Sequence, residues 1–221
     1  MNISAEIHKT VIMGTMIGLF NDLPDVDSNA VVDEAESVCR AYSTSNRHYH
    51  TMERLYEMIS ISYLFPVIPK RRVFLLSLIY HNLIHITNKD VDNGCASAEK
   101  AIQCLKEMGF RINDELLTVS EWIRSVQYNK PLYPEDTDCE FFLDCVNYIY
   151  GSDPERYLRY VHDLKFEYTQ YSMTSKEYDL RRLKKLELLL EGGIYKTPLF
   201  NLLFAEKAKK NIFTEISKFS G

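Results

Sequence analysis

Imidazole side chains concentrate in two stretches of this chain, Arg47-His48-Tyr49-His50-Thr51-Met52-Glu53-Arg54 and, further along, Tyr80-His81-Asn82 with His85 close behind. Neutral imidazole is a common metal ligand and the usual proton carrier near neutral pH. Both stretches therefore read as parts of a metal centre, but their other donors are wrong for one. Asn82 offers a neutral carboxamide oxygen, which does not offset divalent charge as a carboxylate does. Arg54 follows His50 by four residues, so on a helix it shares the same face and points a permanent positive charge at the place where a cation would bind. His50 and His81 then read as buried histidines hydrogen-bonded to neighbours, Asp144 and Asn82 among them; the alternative is that Arg54, His50 and His81 form an anion pocket for a phosphate or a nucleotide, which guanidinium suits. His85 either approaches the same cavity or fills the core as a satisfied histidine. His162-Asp163 lies in a polar stretch and reads as a surface pair. The chain contains no phosphate-binding glycine loop, Ser-x-x-Lys pair or nucleophile elbow, so an unrelated enzymatic mechanism has no support.

These stretches resemble the HD-domain family of metal-dependent phosphohydrolases, whose Arg-x-Tyr-His-Thr-Leu-Glu-His and Phe-His-Asp motifs supply the metal ligands. Further elements are similar to the family's in order and spacing: Asp92-Asn93 with Ser97-Ala98, Phe142-Leu143-Asp144-Cys145-Val146, Lys165-Phe166-Glu167-Tyr168, Ile194-Tyr195-Lys196-Thr197, and Glu206, Ala208, Lys209 and Asn211. The resemblance runs over residues 42 to 215 and implies an all-α, single-domain helical HD-type fold spanning residues 1 to 221. It also implies that the metal positions are His50, Arg54, His81, Asn82 and Asp144. Of these, His50, His81 and Asp144 keep the family's residue types. Arg54 stands for a second early His and Asn82 for the Asp of the His-Asp pair; Gly94 and Val146 replace acids. Ser125-Val126-Gln127-Tyr128 occupies the region of a Thr-x-x-His. With so many ligands changed, the expectation is no catalysis of the family type and no bound metal. The alternative is a surviving hydrolase of nucleotides or other phosphate esters that uses a divalent metal.

The elements that must hold these residues read as helices. Leu180, Leu183, Leu186 and Leu190 recur at helical spacing, as do Ile102, Leu105 and Met108, and strand-like alternation is rare. Pro66/Pro69, Pro131/Pro134, Gly151/Pro154 and Gly192-Gly193 mark the breaks between helices. The run from Val73 to Ile79 is apolar on almost every face, which predicts a central helix that delivers His81 and Asn82 to the middle of the domain. The apolar run Val11 to Phe20 contains two glycines and no preceding basic cluster, and it reads as the core face of a first helix.

With 221 residues and 46% hydrophobic content, the chain can bury a substantial core. Cys39, Cys95, Cys104, Cys139 and Cys145 are odd in number and lack paired zinc spacing, so they read as reduced thiols of a cytoplasmic protein. No stretch approaches the ~18 apolar residues of a membrane span.

Charge is strongly polarised. Residues 1 to 155 carry 13 Lys and Arg against 23 Asp and Glu, whereas residues 156 to 221 carry 13 against 8. Arg181, Arg182, Lys184 and Lys185 interleave with the leucine stripe, which places them on the solvent side of a helix, and Lys207, Lys209 and Lys210 form a second cluster. A basic end on an acidic body fits one-sided docking on nucleic acid. In size and in the loss of metal ligands the chain resembles the microsporidian ribosome dormancy factors of degenerate HD type. That resemblance implies a ribosome-associated protein blocking tRNA or mRNA sites on the small subunit, with rRNA and ribosomal proteins as partners.

Overall fold

The computed structural model describes residues 3–65, 68, 70–88, 91–111 and 114–219. Ten α-helices follow one another among them: α1 (Ile3–Gly18), α2 (Ser28–Ala41), α3 (Met52–Ser62), α4 (Arg71–Tyr80), α5 (Asn93–Glu107), α6 (Asp114–Ser125), α7 (Thr137–Asn147), α8 (Pro154–Thr169), α9 (Ser175–Gly192) and α10 (Pro198–Ile216). Short 3₁₀ turns occupy Val126–Tyr128, Tyr148–Gly151 and Ser217–Phe219. No strand occurs among the described residues, so the all-α expectation holds.

Local chemistry sets most of the helix starts. The carboxylates of Asp27, Asp92 and Asp136 accept backbone N–H groups of Asn29, Cys95 and Cys139, satisfying donors that a helix leaves open at its first turn. Thr174 and Glu177 form a reciprocal capping box at the head of α9. Pro154 and Pro198 open α8 and α10, where a missing N–H is harmless. At the other end of α9, Gly193 takes φ +80°, a conformation that side-chain-bearing residues rarely adopt. Pro131 and Pro134 lie in the loop before α7, and the break assigned to Pro66 and Pro69 lies outside the described residues.

α4 is the centre. All eight residues from Val73 to Tyr80 are buried, and α1, α3, α5, α6 and α7 pack around it. The expectation for the Val73–Ile79 run is met, and His81 caps its C-terminus. The thiols of Cys39, Cys104, Cys139 and Cys145 are buried and all five cysteines are free.

α9 departs from its leucine pattern. Leu180 is 61% exposed, while Tyr178, Arg182, Leu186 and Leu189 face inward. A tertiary ion pair sets this rotation. Arg182 donates to both carboxylate oxygens of buried Glu215 on α10, at 2.8 and 3.0 Å, and to the Tyr160 hydroxyl of α8 at 2.8 Å. The Tyr157 hydroxyl donates to the same carboxylate. Burying a Leu180–Leu183 stripe instead would leave Glu215 without its cation, and a buried unpaired carboxylate costs far more than one exposed leucine.

The turn at Tyr148–Gly151 is locked under α10. Asn211 donates to the carbonyls of Tyr150 and Ser152 at 2.9 and 3.0 Å. A Cβ on Gly151 would lie 2.6 Å from the Tyr195 hydroxyl and 2.7 Å from Phe204 Cβ. Gly151→Ala is therefore expected to destabilise the chain by about 1–3 kcal/mol through overpacking. An unchanged midpoint in chemical denaturation would contradict this packing.

Candidate functional site

The two imidazole stretches meet in one cavity of about 400 Å³. The segment before α3 contributes Tyr49 and His50, and α3 itself contributes Arg54. His81, Asn82 and His85 come from the end of α4 and the chain beyond it, Asp92 and Gly94 from the start of α5, and Val146 from α7. Tyr160 and Tyr168 of α8 close one side, and Arg182 and Lys185 of α9 another.

A carboxylate to which the sequence reading gave a place in a family-like element but no role at the site organises its back. Glu167 of α8 is fully buried. Its Oε2 accepts the backbone N–H groups of His48, Tyr49 and His50 at 3.2, 2.7 and 3.2 Å. Its Oε1 accepts from His50 Nδ1 at 2.8 Å and is in close contact with His85 Nε2. The two rings lie 4.2 Å apart. Burial alone would raise the Glu167 carboxyl, but the pull of His50 and His85 outweighs it and holds the group well below the usual carboxylate range. His85 thus stands at the cavity wall with its Nε2 against the Glu167 carboxylate, and burial pushes it down to about 4.

Arg47 fixes the same segment from the other side. Its guanidinium donates to the carbonyls of His50, Asn82 and Leu83 at 3.1, 2.8 and 2.7 Å, tying the approach to α3 to the end of α4.

His81 is committed on both nitrogens. Nδ1 donates to the Leu78 carbonyl at 2.9 Å, which leaves Nε2 with a lone pair, and the Asn82 amide nitrogen lies 2.7 Å from it. The reverse amide orientation would require an imidazolium. Complete burial opposes that and pulls His81 down to about 3. The Asn82 amide therefore covers the lone pair that a metal would use. Arg54, 3% exposed, donates to the Val146 carbonyl at 2.7 Å and pairs more loosely with Glu57 at 3.5 Å. Its guanidinium occupies the cavity wall as a fixed cation.

Of the five positions implied by the resemblance, His50, Arg54, His81 and Asn82 line this cavity; Asp144 is not among the lining residues. Asp144 accepts the N–H groups of Lys196 and Thr197 at 2.6 and 2.8 Å and the Thr197 hydroxyl at 2.6 Å, so it anchors the turn into α10. Burial raises its carboxyl to about 6 against the pull of those donors.

The donor atoms of His50, His85 and Glu167 lie within 4.8 Å of one another, the richest metal-type grouping among the described residues. Around a tetrahedral ion with bonds near 2.1 Å, neighbouring donors stand roughly 3.3 Å apart. The Glu167 oxygen lies at hydrogen-bond spacing from His50 and closer still to His85, so it would have to move away by roughly half an ångström from the first and farther from the second to share an ion with them.

The basic residues divide in a way the sequence did not predict. Arg181, Lys184, Lys209 and Lys210 are exposed. Lys207 is also exposed but pairs with Asp153 at 2.9 Å. Arg182 is buried, correcting the expectation that all four cations of α9 face solvent, and Lys185 is half-buried at the cavity. His162 and Asp163 form the expected exposed pair at 2.9 Å. No helix among the described residues is long and apolar enough to cross a membrane. Neither a family model, nor a curated protein, nor a solved structure matches the chain.

Proposed function

We propose that the chain is a non-catalytic binding protein on an HD-type helical scaffold. It docks on the ribosome, at the small subunit, as a dormancy factor filling space otherwise used by tRNA or mRNA. The observation that carries the non-catalytic reading is the Asn82 amide 2.7 Å from His81 Nε2, with the Arg54 cation beside it. A neutral capped imidazole next to a fixed guanidinium repels a divalent ion and offers it no anionic bridge. Support for docking is the excess of 13 basic over 8 acidic residues after position 155, with Arg181, Lys184, Lys209 and Lys210 exposed.

The second reading, a metal-dependent phosphohydrolase, rests on His50, His85 and Glu167. Elemental analysis of the purified chain separates the two: the expected result is no stoichiometric metal and no phosphatase activity with added Mn, Mg, Fe or Zn. One tightly held ion per chain, lost on His50→Ala, would establish the second reading instead. Arg54→His combined with Asn82→Asp is expected to create measurable metal affinity, because it removes the cation and supplies the missing carboxylate.

The ribosome reading is tested by cosedimentation at low salt. The native chain is expected to pellet with ribosomes. Joint reversal of Arg181, Lys184, Lys209 and Lys210 to Glu is expected to weaken binding and to flatten its salt dependence by roughly one unit of slope for each phosphate no longer neutralised. Failure of the native chain to pellet sinks the ribosome reading; equal pelleting of the reversed chain sinks only the charge argument.

A further inference from the structure

We propose that the outer face of α10 is self-complementary and that two copies of this chain pair through it, with their α10 helices antiparallel, as a two-fold dimer. The inference goes beyond the ribosome reading and does not rest on it.

The face is apolar where nothing in the chain covers it. Leu202 is 83% exposed and Phe213 59%, and Leu199 and Leu203 are exposed beside Leu202. Eleven residues make about three turns, so Leu202 and Phe213 lie on one side of the helix, roughly 16 Å apart. The helix cannot roll to bury them. Phe200, Ala208, Ile212 and Glu215 hold its other side in the core, and Glu215 is tied there by Arg182. Single exposed leucines are ordinary, but four large apolar side chains on one face of one helix mark a surface made for contact.

Spacing points to a helix as the partner, and charge points to a second copy. Leu199, Leu202, Glu206, Lys209 and Phe213 recur at alternating steps of three and four, the seam of helices that pack along their length. Across an antiparallel seam Leu202 meets the partner's Phe213 and Glu206 meets the partner's Lys209, and the two-fold axis repeats both pairs in reverse. A parallel seam would set Glu206 on Glu206 and Lys209 on Lys209, like charge against like. Among the described residues Glu206, Lys209 and Lys210 are exposed and form no ion pair, whereas Lys207 on the flank is paired with Asp153. The charges on the seam are thus available to a partner.

Size sets the strength. One helix pair buries less than the ~1,200 Å² at the low end of stable interfaces, so the expected dimer is weak and reversible, with Kd on the order of 10–100 μM. It covers Lys209 and Lys210, so ribosome docking through those two lysines is open to the monomer alone.

The test is analytical ultracentrifugation of the full chain from ~1 to ~500 μM, a range that brackets this affinity. The average mass is expected to rise from 25.9 kDa toward twice that value and no further. Leu202→Glu is expected to weaken association by at least about tenfold. Circular dichroism checks that this variant keeps its helices, and Leu202→Gln replaces it if it does not. Glu206→Lys and Lys209→Glu, each alone, are expected to weaken association about tenfold at low salt, because two pairs per dimer turn from attraction to repulsion. An equimolar mixture of the two variants makes every opposed pair opposite in sign again, and it is expected to associate within about threefold of the native chain. Recovery in the mixture also shows that both variants are folded. A native chain that stays monomeric over the whole range overturns the proposal. So does a Leu202 variant that pairs as the native chain does, a mixture that associates no more tightly than its components, or growth beyond the dimer.

Discussion

Glu167→Ala is expected to lower the free energy of unfolding by about 3–5 kcal/mol, because several buried donors lose the one carboxylate that accepts them. The substitution strands the backbone N–H groups of His48, Tyr49 and His50, together with donors on His50 and His85. Each buried donor left without an acceptor costs about 1–3 kcal/mol, less where water enters the space vacated. Glu167→Gln is expected to be nearly as damaging, since its amide nitrogen must face one of two sets of donors. Chemical denaturation at neutral pH measures both. A loss below about 1 kcal/mol for the alanine variant would show that the approach to α3 is held by Arg47 and core packing instead.

Mild acid is expected to destabilise the chain strongly. Burial holds His81 at about 3 and His85 at about 4, below the 6.5 of an unperturbed histidine. Between those values the unfolded chain binds protons that the folded chain refuses, so stability falls as pH falls. At about 1.4 kcal/mol per pH unit, the loss by pH ~4.5 is roughly 2–3 kcal/mol for each histidine. Asp144 works in the opposite sense. Its carboxyl, raised to about 6 from 3.8, takes up a proton in the folded state first and returns roughly 2 kcal/mol over the same interval. The net expectation is a loss of roughly 3 kcal/mol between neutral pH and ~4.5. Denaturant midpoints at the two pH values decide it: no change would mean that one or both imidazoles are charged in the folded chain, and His85→Gln should reduce the slope.

Helix by helix, much of this architecture is legible locally. The continuous apolar run before His81 marks α4 as the buried centre, and Pro154 and Gly192-Gly193 mark where α8 starts and α9 stops. The convergence of His50, Arg54, His81 and Asn82 on one cavity also follows from the sequence motifs. Asp144, expected beside them, instead holds the turn at Lys196 and Thr197, because three donors within hydrogen-bond reach secure the carboxylate there.

What the chain determined by itself is what short-range physics controls: the all-α class, the breaks between helices, and the identity of a cation where a metal ligand would be expected. Helical periodicity spaces side chains around an axis but does not say which way the axis is turned. Only the packed structure decided that Arg182 points inward to Glu215 while Leu180 faces water, since the pair is brought together by the meeting of α9 and α10. Only the packed structure joined Glu167 to His50, 117 positions away along the chain. Both partnerships are electrostatic contacts between distant segments, and their strength comes from a burial that exists only once the helices have assembled.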